Sequence, residues 1–291
     1  MRLAGLLAGL SCGSMLCAFV AASTAQEVAI PNFSLDSSTG WIAGDPNGAN
    51  PVGQDFIPPE SGPGPVTNDP THPHVDDGAA RRAGGTQPTF RVADVSNPIL
   101  QPWVKDALRK TNEHALSGKP HFTPKERCWP IGVPGWLLYP VRPVWFLQTA
   151  KEVVMIWEED HMVRHVYLTD RHSANVKPSW FGESIGHYEN GDTLVVDTIG
   201  LNDRTFVDSY RTPHTTQLHV VERYRIVDDG KALDVSVHVE DPGAFATAWN
   251  ARQHYRRATD GPLTESSCAE NNADFLQYDV EPIPQAKKPD F

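Results

Sequence analysis

The chain has 291 residues, 21% of them charged and 40% hydrophobic, which excludes a wholly disordered protein and allows one large domain or two small ones. Its 36 acidic residues against 25 Lys and Arg give a formal net charge of −11, which argues against nucleic-acid binding and against electrostatic docking on an anionic membrane. The 25 prolines and 22 glycines favour strands, turns and long loops over a helical bundle.

Residues 1–25 have the pattern of a cleavable signal peptide. Arg2 precedes a long apolar run without Asp or Glu, and Ser23 and Ala25 place small residues before a cleavage point. A transmembrane anchor is the alternative, but the run is short and carries several Gly and Ser. We therefore expect a periplasmic or secreted protein with no stable membrane anchor after signal cleavage.

Two cysteines, Cys128 and Cys268, remain after the predicted signal is removed. In an oxidising compartment such a pair usually forms a disulfide, which here would join the start of the core domain to its end. The alternative is that Cys128 acts as a nucleophile or a metal ligand. No Cys-x-x-Cys motif or Cys/His cluster supports a zinc site.

Residues 26–99 are rich in Pro, Gly, Asp and Asn and predict a long irregular N-terminal arm. The segment 72–77, His-Pro-His-Val-Asp-Asp, contains metal-binding residue types. A Pro-rich exposed loop of this kind is more often only a loop, so we predict no metal there.

A docking helix is predicted over 102–117, at the start of a domain that spans 100–283 and precedes a short tail, 284–291. Pro102 suits the first turn and Gly118 follows as a stop. The apolar residues that recur at a spacing of three to four are Trp103, Val104, Ala107 and Leu108.

From about residue 143 the hydrophobic period changes to two, which predicts strands. The connections 189–192 and 228–231 carry hairpin turn signals. We therefore predict a mainly β fold: an antiparallel meander that closes into a barrel of the lipocalin or calycin type, or folds into a sandwich. The predicted strands are Val144–Gln148, Val153–Glu158, Val163–Leu168, Ser184–Tyr188, Thr193–Ile199, Leu218–Val227, Leu233–Val239 and Ala248–Tyr255.

The chain resembles a large family of secreted bacterial β-rich proteins. The resemblance covers roughly 100–283 and rests on CWPIGVPG (128–135), GDTLVVDT (191–198), NDRT (202–205), PHT (213–215) and ER (222–223). One departure is Asn190, since the family pattern tends to read Trp-x-Gly-Asp-Thr. The resemblance implies secretion, a single domain and the meander, and it carries no activity to transfer.

Two carboxylates on predicted strands are candidate acid/base groups. Glu222 shares a strand face with Leu218, Val220 and Tyr224, so it should point into the core or a barrel lumen. A structural salt bridge to an arginine is the alternative role for Glu222. Asp197 lies on a strand with two largely apolar faces, so it either joins Glu222 in the lumen or bonds a nearby turn.

Two loops bracket the end of the strand that holds Asp197. Asp203 and Arg204 lie in one loop, and His214, which follows a proline, lies in the other. Turn formation is their alternative role. We predict that Glu222, His214, Asp197 and Asp203 form one catalytic cluster at the barrel mouth, with Arg204 holding an anionic ligand group.

Further ligand-binding candidates are Arg164, which could hold a substrate carboxylate, and Tyr224 on the inward face. Five tryptophans within 129–180 could line a pocket for an aromatic or terpenoid ligand, with Trp157 and Trp180 as the candidates, or they could simply build the core.

Three function classes follow from this pattern. The first is a cofactor-independent enzyme of the lyase, decarboxylase or isomerase type, acting by acid/base chemistry on a small apolar or aromatic molecule in a barrel pocket. No nucleotide-binding, nucleophile-elbow or metalloprotease motif is present, and no cofactor is expected. The alternatives are a lipocalin-like binding protein without turnover and an envelope-associated structural protein.

Overall fold

The computed structural model describes residues 30–34, 39–44, 54–57, 92–116, 124, 128–138, 142–208, 210–258 and 261–268. The predicted signal (1–25), the segment 72–77 and the tail 284–291 lie outside the described residues, so the statements about them stay predictions. No helix within the described part of the chain is long and apolar enough to cross a membrane.

The described residues include ten strands and two α-helices. The strands are β1 (Trp41–Ala43), β2 (Gln54–Ile57), β3 (Val144–Gln148), β4 (Glu152–Trp157), β5 (Met162–Tyr167), β6 (Glu183–Glu189), β7 (Thr193–Ile199), β8 (His219–Val227), β9 (Ala232–Glu240) and β10 (Trp249–Arg257). The helices are α1 (Pro102–Leu116) and α2 (Gly135–Leu138). The docking helix and every predicted strand are confirmed; β3 and β7 have the predicted bounds, and the other elements differ by one or two residues at one or both ends.

The strands close into a barrel. They follow the order β1-β3-β4-β5-β6-β7-β8-β9-β10, and the last part of β10, residues 255–257, pairs with β1. Residues 250–253, earlier on the same edge of β10, pair with β2. The predicted mainly β barrel is therefore confirmed over the sandwich. The antiparallel meander is broken once, because β5 and β6 run parallel. Their connection, 168–182, is too long for a hairpin and carries no tight-turn signal.

Parts of the predicted irregular arm belong to the barrel. Residues of this region form β1 and β2, and the side chains of Phe33, Trp41 and Val92 are buried in the core. Strands of three or four residues between Gly- and Pro-rich turns leave too short an alternation to be recognised in the sequence.

Helix α2 fills part of the barrel interior. All four of its residues are buried, and the backbone oxygen of Leu137 accepts a hydrogen bond from the Tyr255 hydroxyl at 3.3 Å. A side chain at Gly135 would lie 2.7 Å from the Phe206 backbone oxygen, so only glycine lets α2 pass so close to that loop.

The predicted disulfide is present between Cys128 and Cys268, whose Cα atoms lie 5.5 Å apart. It joins the segment before α2 to the segment after β10. The bond is compatible with secretion into an oxidising compartment.

One end of the barrel carries most of the candidate residues. At this end, which we call the site rim, β7 and β9 end and β6, β8 and β10 begin. The loops 168–182, 200–218 and 241–248 meet there, and α1 starts beside the last of them through the bond from the Gln101 N–H to the Ala244 oxygen at 2.9 Å.

Candidate functional site

Glu222 points into the barrel, as the strand alternation predicts, and its side chain is fully buried. Arg164 reaches it from β5, across β6 and β7. The two Arg164 Nη atoms lie 3.0 Å from Glu222 Oε1 and 2.5 Å from Oε2. Arg164 also donates to Ser184 Oγ at 3.1 Å and to Thr198 Oγ1 at 2.7 Å. The interior therefore holds a bidentate ion pair, the alternative that the sequence left open for Glu222.

Tyr224 completes this internal cluster. Its hydroxyl donates to Glu222 Oε1 at 3.0 Å. Burial and the charge of Glu222 raise the pKa of Tyr224 well above its usual value. Burial alone lowers the pKa of the Arg164 guanidinium, but the charge of Glu222 and its hydrogen bonds with Arg164 help to outweigh this effect, so the net shift is upward. Both predicted ligand-binding residues, Arg164 and Tyr224, thus bind a carboxylate of the protein itself.

His214 is buried in the loops of the site rim. Its Nδ1 lies 3.0 Å from the backbone oxygen of Thr215, which can only accept, so Nδ1 carries the proton and Nε2 accepts from the Thr205 hydroxyl at 2.8 Å. Burial lowers the pKa of His214, although the Thr215 carbonyl and the charges of Asp241 and Asp203 act in the opposite direction. His214 is thus a neutral imidazole that ties two loop segments together.

Asp203 and Arg204 lie on the exposed part of the loop that follows β7. The Arg204 N–H donates to Asn202 Oδ1 at 3.0 Å, which forms a turn that leaves both charged side chains in solvent. These two residues are at the site rim, as predicted, but outside the barrel.

Asp197 faces outward, because its neighbour Val196 is the residue paired with Glu222 across β7 and β8. The predicted convergence of Glu222, His214 and Asp197 into one cluster is therefore wrong. Glu222 lies in the interior, His214 among the loops and Asp197 on the outer face. The direction of Asp197 was not predictable from the sequence because Val195, also on the outer face, is buried, so both faces of β7 carry apolar residues.

Asp197 is the centre of an alternating chain of imidazoles and carboxylates on the outer surface. His172 Nε2 and His219 Nε2 each lie 3.0 Å from Asp197 Oδ1. His219 Nδ1 lies 3.5 Å from Glu240 Oε2, and Glu240 Oε1 lies 3.1 Å from His238 Nε2. We call this chain the His–carboxylate row; it consists of Glu183, His172, Asp197, His219, Glu240 and His238.

His172 lies between two carboxylates. Its Nδ1 is 3.1 Å from Glu183 Oε1, and its Nε2 faces Asp197. Ionised carboxylates only accept, so both contacts are hydrogen bonds when the His172 ring carries two protons. Glu183 also accepts from the Ser173 hydroxyl and backbone N–H, and these bonds, with His172, lower the pKa of Glu183.

The central part of the row is accessible from solvent. The side chains of Asp197, His219 and His172 are 39%, 33% and 17% exposed. At its far end, hydrogen bonds from His238 and His219 lower the pKa of Glu240. The row thus offers proton donors and acceptors that a dissolved molecule can reach, which the internal Arg164–Glu222 pair does not.

The two candidate tryptophans occupy different places. Trp157 is buried and its Nε1 donates to the Arg142 backbone oxygen at 2.8 Å, so it belongs to the core. Trp180 is half-buried in the loop before β6, with its ring centroid 5.4 Å from that of Trp129. Of the residues predicted to bind a ligand, Trp180 and Arg204 are those with access to solvent.

The sequence did not single out the other members of the His–carboxylate row, which are His172, Glu183, His219, Glu240 and His238. The turn at 228–231 fixes the register of β8 and β9 and places His219 opposite Glu240. This pair was therefore predictable from the sequence. His172 lies in a loop, and nothing in its local sequence indicates the strands that it contacts.

Among the described residues, no group of three or more His, Cys, Asp or Glu side chains is arranged to hold a metal ion. In the His–carboxylate row each imidazole nitrogen is directed at an oxygen of the protein.

No protein-family model, curated protein or solved structure matches the chain.

Proposed function

We propose that this protein is a secreted or periplasmic enzyme that works by general acid/base catalysis, with the His–carboxylate row as its site. The observation that carries this proposal is the shared acceptor: one oxygen of Asp197 lies 3.0 Å from an imidazole nitrogen of both His172 and His219. Two imidazoles on one carboxylate can hold a proton on one ring while the other ring gives a proton up.

The groups of the row have distinct roles in this proposal. His219, the more exposed imidazole, exchanges a proton with the substrate. Asp197 orients His219 through their 3.0 Å contact. His172, held by Glu183, makes the second contact that keeps the Asp197 carboxylate in place. Such chemistry suits the lyase, decarboxylase or isomerase classes.

A small apolar ligand inside the barrel is less well supported. Arg164 and Tyr224 are bound to Glu222, and Trp136 of α2 approaches the same carboxylate at 3.5 Å. These contacts favour a structural interior and move the proposed chemistry to the outer surface of β6–β9. For the same reason we place the enzyme ahead of a lipocalin-like binding protein.

A general-base reporter tests the proposal without knowledge of the substrate. 5-Nitrobenzisoxazole loses one C–H proton to a base and opens to a coloured phenolate, so its rate reports an accessible, positioned base. We expect the wild-type protein to accelerate this reaction over buffer. Asp197→Asn and His219→Gln should remove most of the acceleration, since a positioned acid or base contributes about 10²–10⁴-fold in enzymes.

His165→Gln is the matched control. His165 is also an outward histidine paired with a carboxylate, Glu152, at 2.9 Å, but it lies on β5 outside the row. We expect it to react like the wild type. Equal rates in the wild type, Asp197→Asn, His219→Gln and His165→Gln, with all four folded by circular dichroism, would contradict the proposal.

A further inference from the structure

Two half-buried tryptophans form a fixed pair at the site rim. The rings of Trp129 and Trp180 have centroids 5.4 Å apart and planes tilted by 46°, so they form an open angle rather than a closed stack. Aromatic rings that remain partly exposed in a closed barrel present apolar surface to a ligand.

Both sides of this pair are anchored. Trp129 follows Cys128, which is bonded to Cys268. Trp180 follows Ser179, whose backbone N–H donates to Gly200 at 3.0 Å and whose oxygen accepts from Asn202 at 2.8 Å. The two rings are thus held by a covalent bond on one side and by a backbone ladder on the other. A recognition surface gains affinity when it is ordered before the ligand binds.

The pair lies next to the His–carboxylate row. Trp180 is three residues before Glu183, so their Cα atoms are at most about 11 Å apart. Glu183 contacts His172, which in turn contacts Asp197. A ligand about 11 Å long can therefore span the distance from Trp180 to Glu183, at one end of the row.

The surroundings of the pair are polar. The Asn202 backbone N–H donates to the oxygen of Ser179, the residue before Trp180. The two residues that follow Asn202, Asp203 and Arg204, are exposed. Such groups form hydrogen bonds with hydroxyls, while the indole faces pack against C–H groups. A sugar ring has this combination, with an apolar C–H face and a polar edge, whereas a purely aromatic ligand needs a desolvated slot.

We propose that Trp129 and Trp180 form a sugar-binding platform, and that the substrate of the site is an oligosaccharide or polysaccharide with one ring on this platform and its next linkage over the His–carboxylate row. The inference rests on the proposed function only for the second half of this statement. Binding of a sugar to the tryptophans follows from the platform alone.

The test measures binding by intrinsic tryptophan fluorescence and by saturation-transfer NMR. The probes are cellohexaose, chitohexaose, xylohexaose and hexagalacturonate, so neutral, N-acetylated and acidic sugars are separated. Phenol and vanillate form an aromatic arm. We expect at least one hexasaccharide to bind the wild type and to bind Trp180→Ala at least about tenfold more weakly, the loss of one stacking contact.

Trp103→Ala is the matched control. Trp103 is an exposed tryptophan of α1 whose Nε1 donates to the Gly243 oxygen at 2.7 Å, so its ring is held by another loop than the pair. We expect full sugar binding in this variant. The double variant Cys128→Ser/Cys268→Ser should weaken binding as well, because it frees the anchor of Trp129.

Three results would overturn the inference. The first is that no hexasaccharide binds the wild type, and the second is that Trp180→Ala binds the hexasaccharide as tightly as the wild type does. The third is that phenol or vanillate binds at Trp180 and no hexasaccharide displaces it. The proposed function fails separately. If a sugar binds but the protein does not accelerate the general-base reporter reaction, the proposed enzyme is contradicted and the sugar-binding platform stands.

Discussion

Glu222 is held inside the barrel by donors from three different elements: Arg164 of β5, Tyr224 of β8 itself and Trp136 of α2. Arg164 also donates to Ser184 of β6 and Thr198 of β7. Transfer of a charge into such an interior is unfavourable unless the charge is paired and its hydrogen bonds are satisfied. Each member of the cluster therefore depends on the others.

Removal of the carboxylate charge should destabilise the protein strongly. Glu222→Gln leaves Arg164 buried without its counter-charge, and we expect the free energy of unfolding to fall by about 3–5 kcal/mol, the usual effect of breaking a buried pair. Urea unfolding followed by fluorescence measures the change. Glu152→Gln, which removes the carboxylate of an exposed pair, should change stability by less than about 1 kcal/mol.

A double variant covers the case in which Glu222→Gln does not fold. Arg164→Met/Glu222→Leu removes both charges and should be more stable than Glu222→Gln. A Glu222→Gln variant as stable as the wild type would contradict the structural role of the pair.

His214 should make the protein less stable as the pH falls. The pKa of its imidazole is lowered in the folded state from an ordinary 6.5, so above pH 6.5 neither state binds the proton. Below about 6.5 the unfolded chain takes up the proton more readily, and the free energy of unfolding decreases until the pH reaches the folded-state pKa. Unfolding in urea at intervals between pH 7.5 and about 5 measures this slope.

His214→Gln isolates the effect. Gln keeps an acceptor for the Thr205 hydroxyl but does not titrate, so the variant should be less stable at pH 7.5 and show a shallower slope. All other titrating groups are common to both proteins. Parallel curves for the wild type and the variant would show that His214 does not contribute the predicted slope.

At the scale of elements, the alternation of hydrophobic residues predicts where the strands lie, but it does not always predict which way a side chain points. The hairpin of β8 and β9 was predictable because the turn at 228–231 is flanked by two long alternating runs. The inward direction of Glu222 followed from its apolar neighbours on the same face. The direction of Asp197 did not, since hydrophobic residues occupy both faces of β7 and alternation carries no information there.

The contacts between elements were beyond the reach of the sequence for another reason. Arg164 and Glu222 are brought together by barrel closure, and the bond crosses β6 and β7 rather than joining neighbouring strands. His172 joins the row from a connection between strands. Such contacts depend on the curvature of the whole sheet, which no local pattern encodes.

At the scale of the whole molecule, one covalent bond spans the barrel domain. Cys128 and Cys268 are separated by 140 residues, so their bond restricts nearly the full length of the β domain in the unfolded state. The sequence was sufficient to predict this pairing, because only two cysteines follow the predicted signal peptide.

Loss of the disulfide should lower stability substantially. For a loop of this length the chain-entropy estimate is about 5 kcal/mol, and we expect Cys128→Ser/Cys268→Ser to approach this value in urea unfolding. Reductant should destabilise the wild type toward the double variant and leave the double variant unchanged. Peptide mapping that recovers both cysteines as free thiols under non-reducing conditions would contradict the bond.

The parallel junction between β5 and β6 has a consequence for how this protein can change. Every other neighbouring pair that is consecutive from β3 to β10 is joined in antiparallel fashion, where the connection and the register constrain each other. Residues 168–182 join a parallel pair, so no hairpin register depends on their length, and they carry both His172 and Trp180. Changes in the length or side chains of this segment should therefore alter the surface that it presents, while the strand pairs of the barrel stay the same.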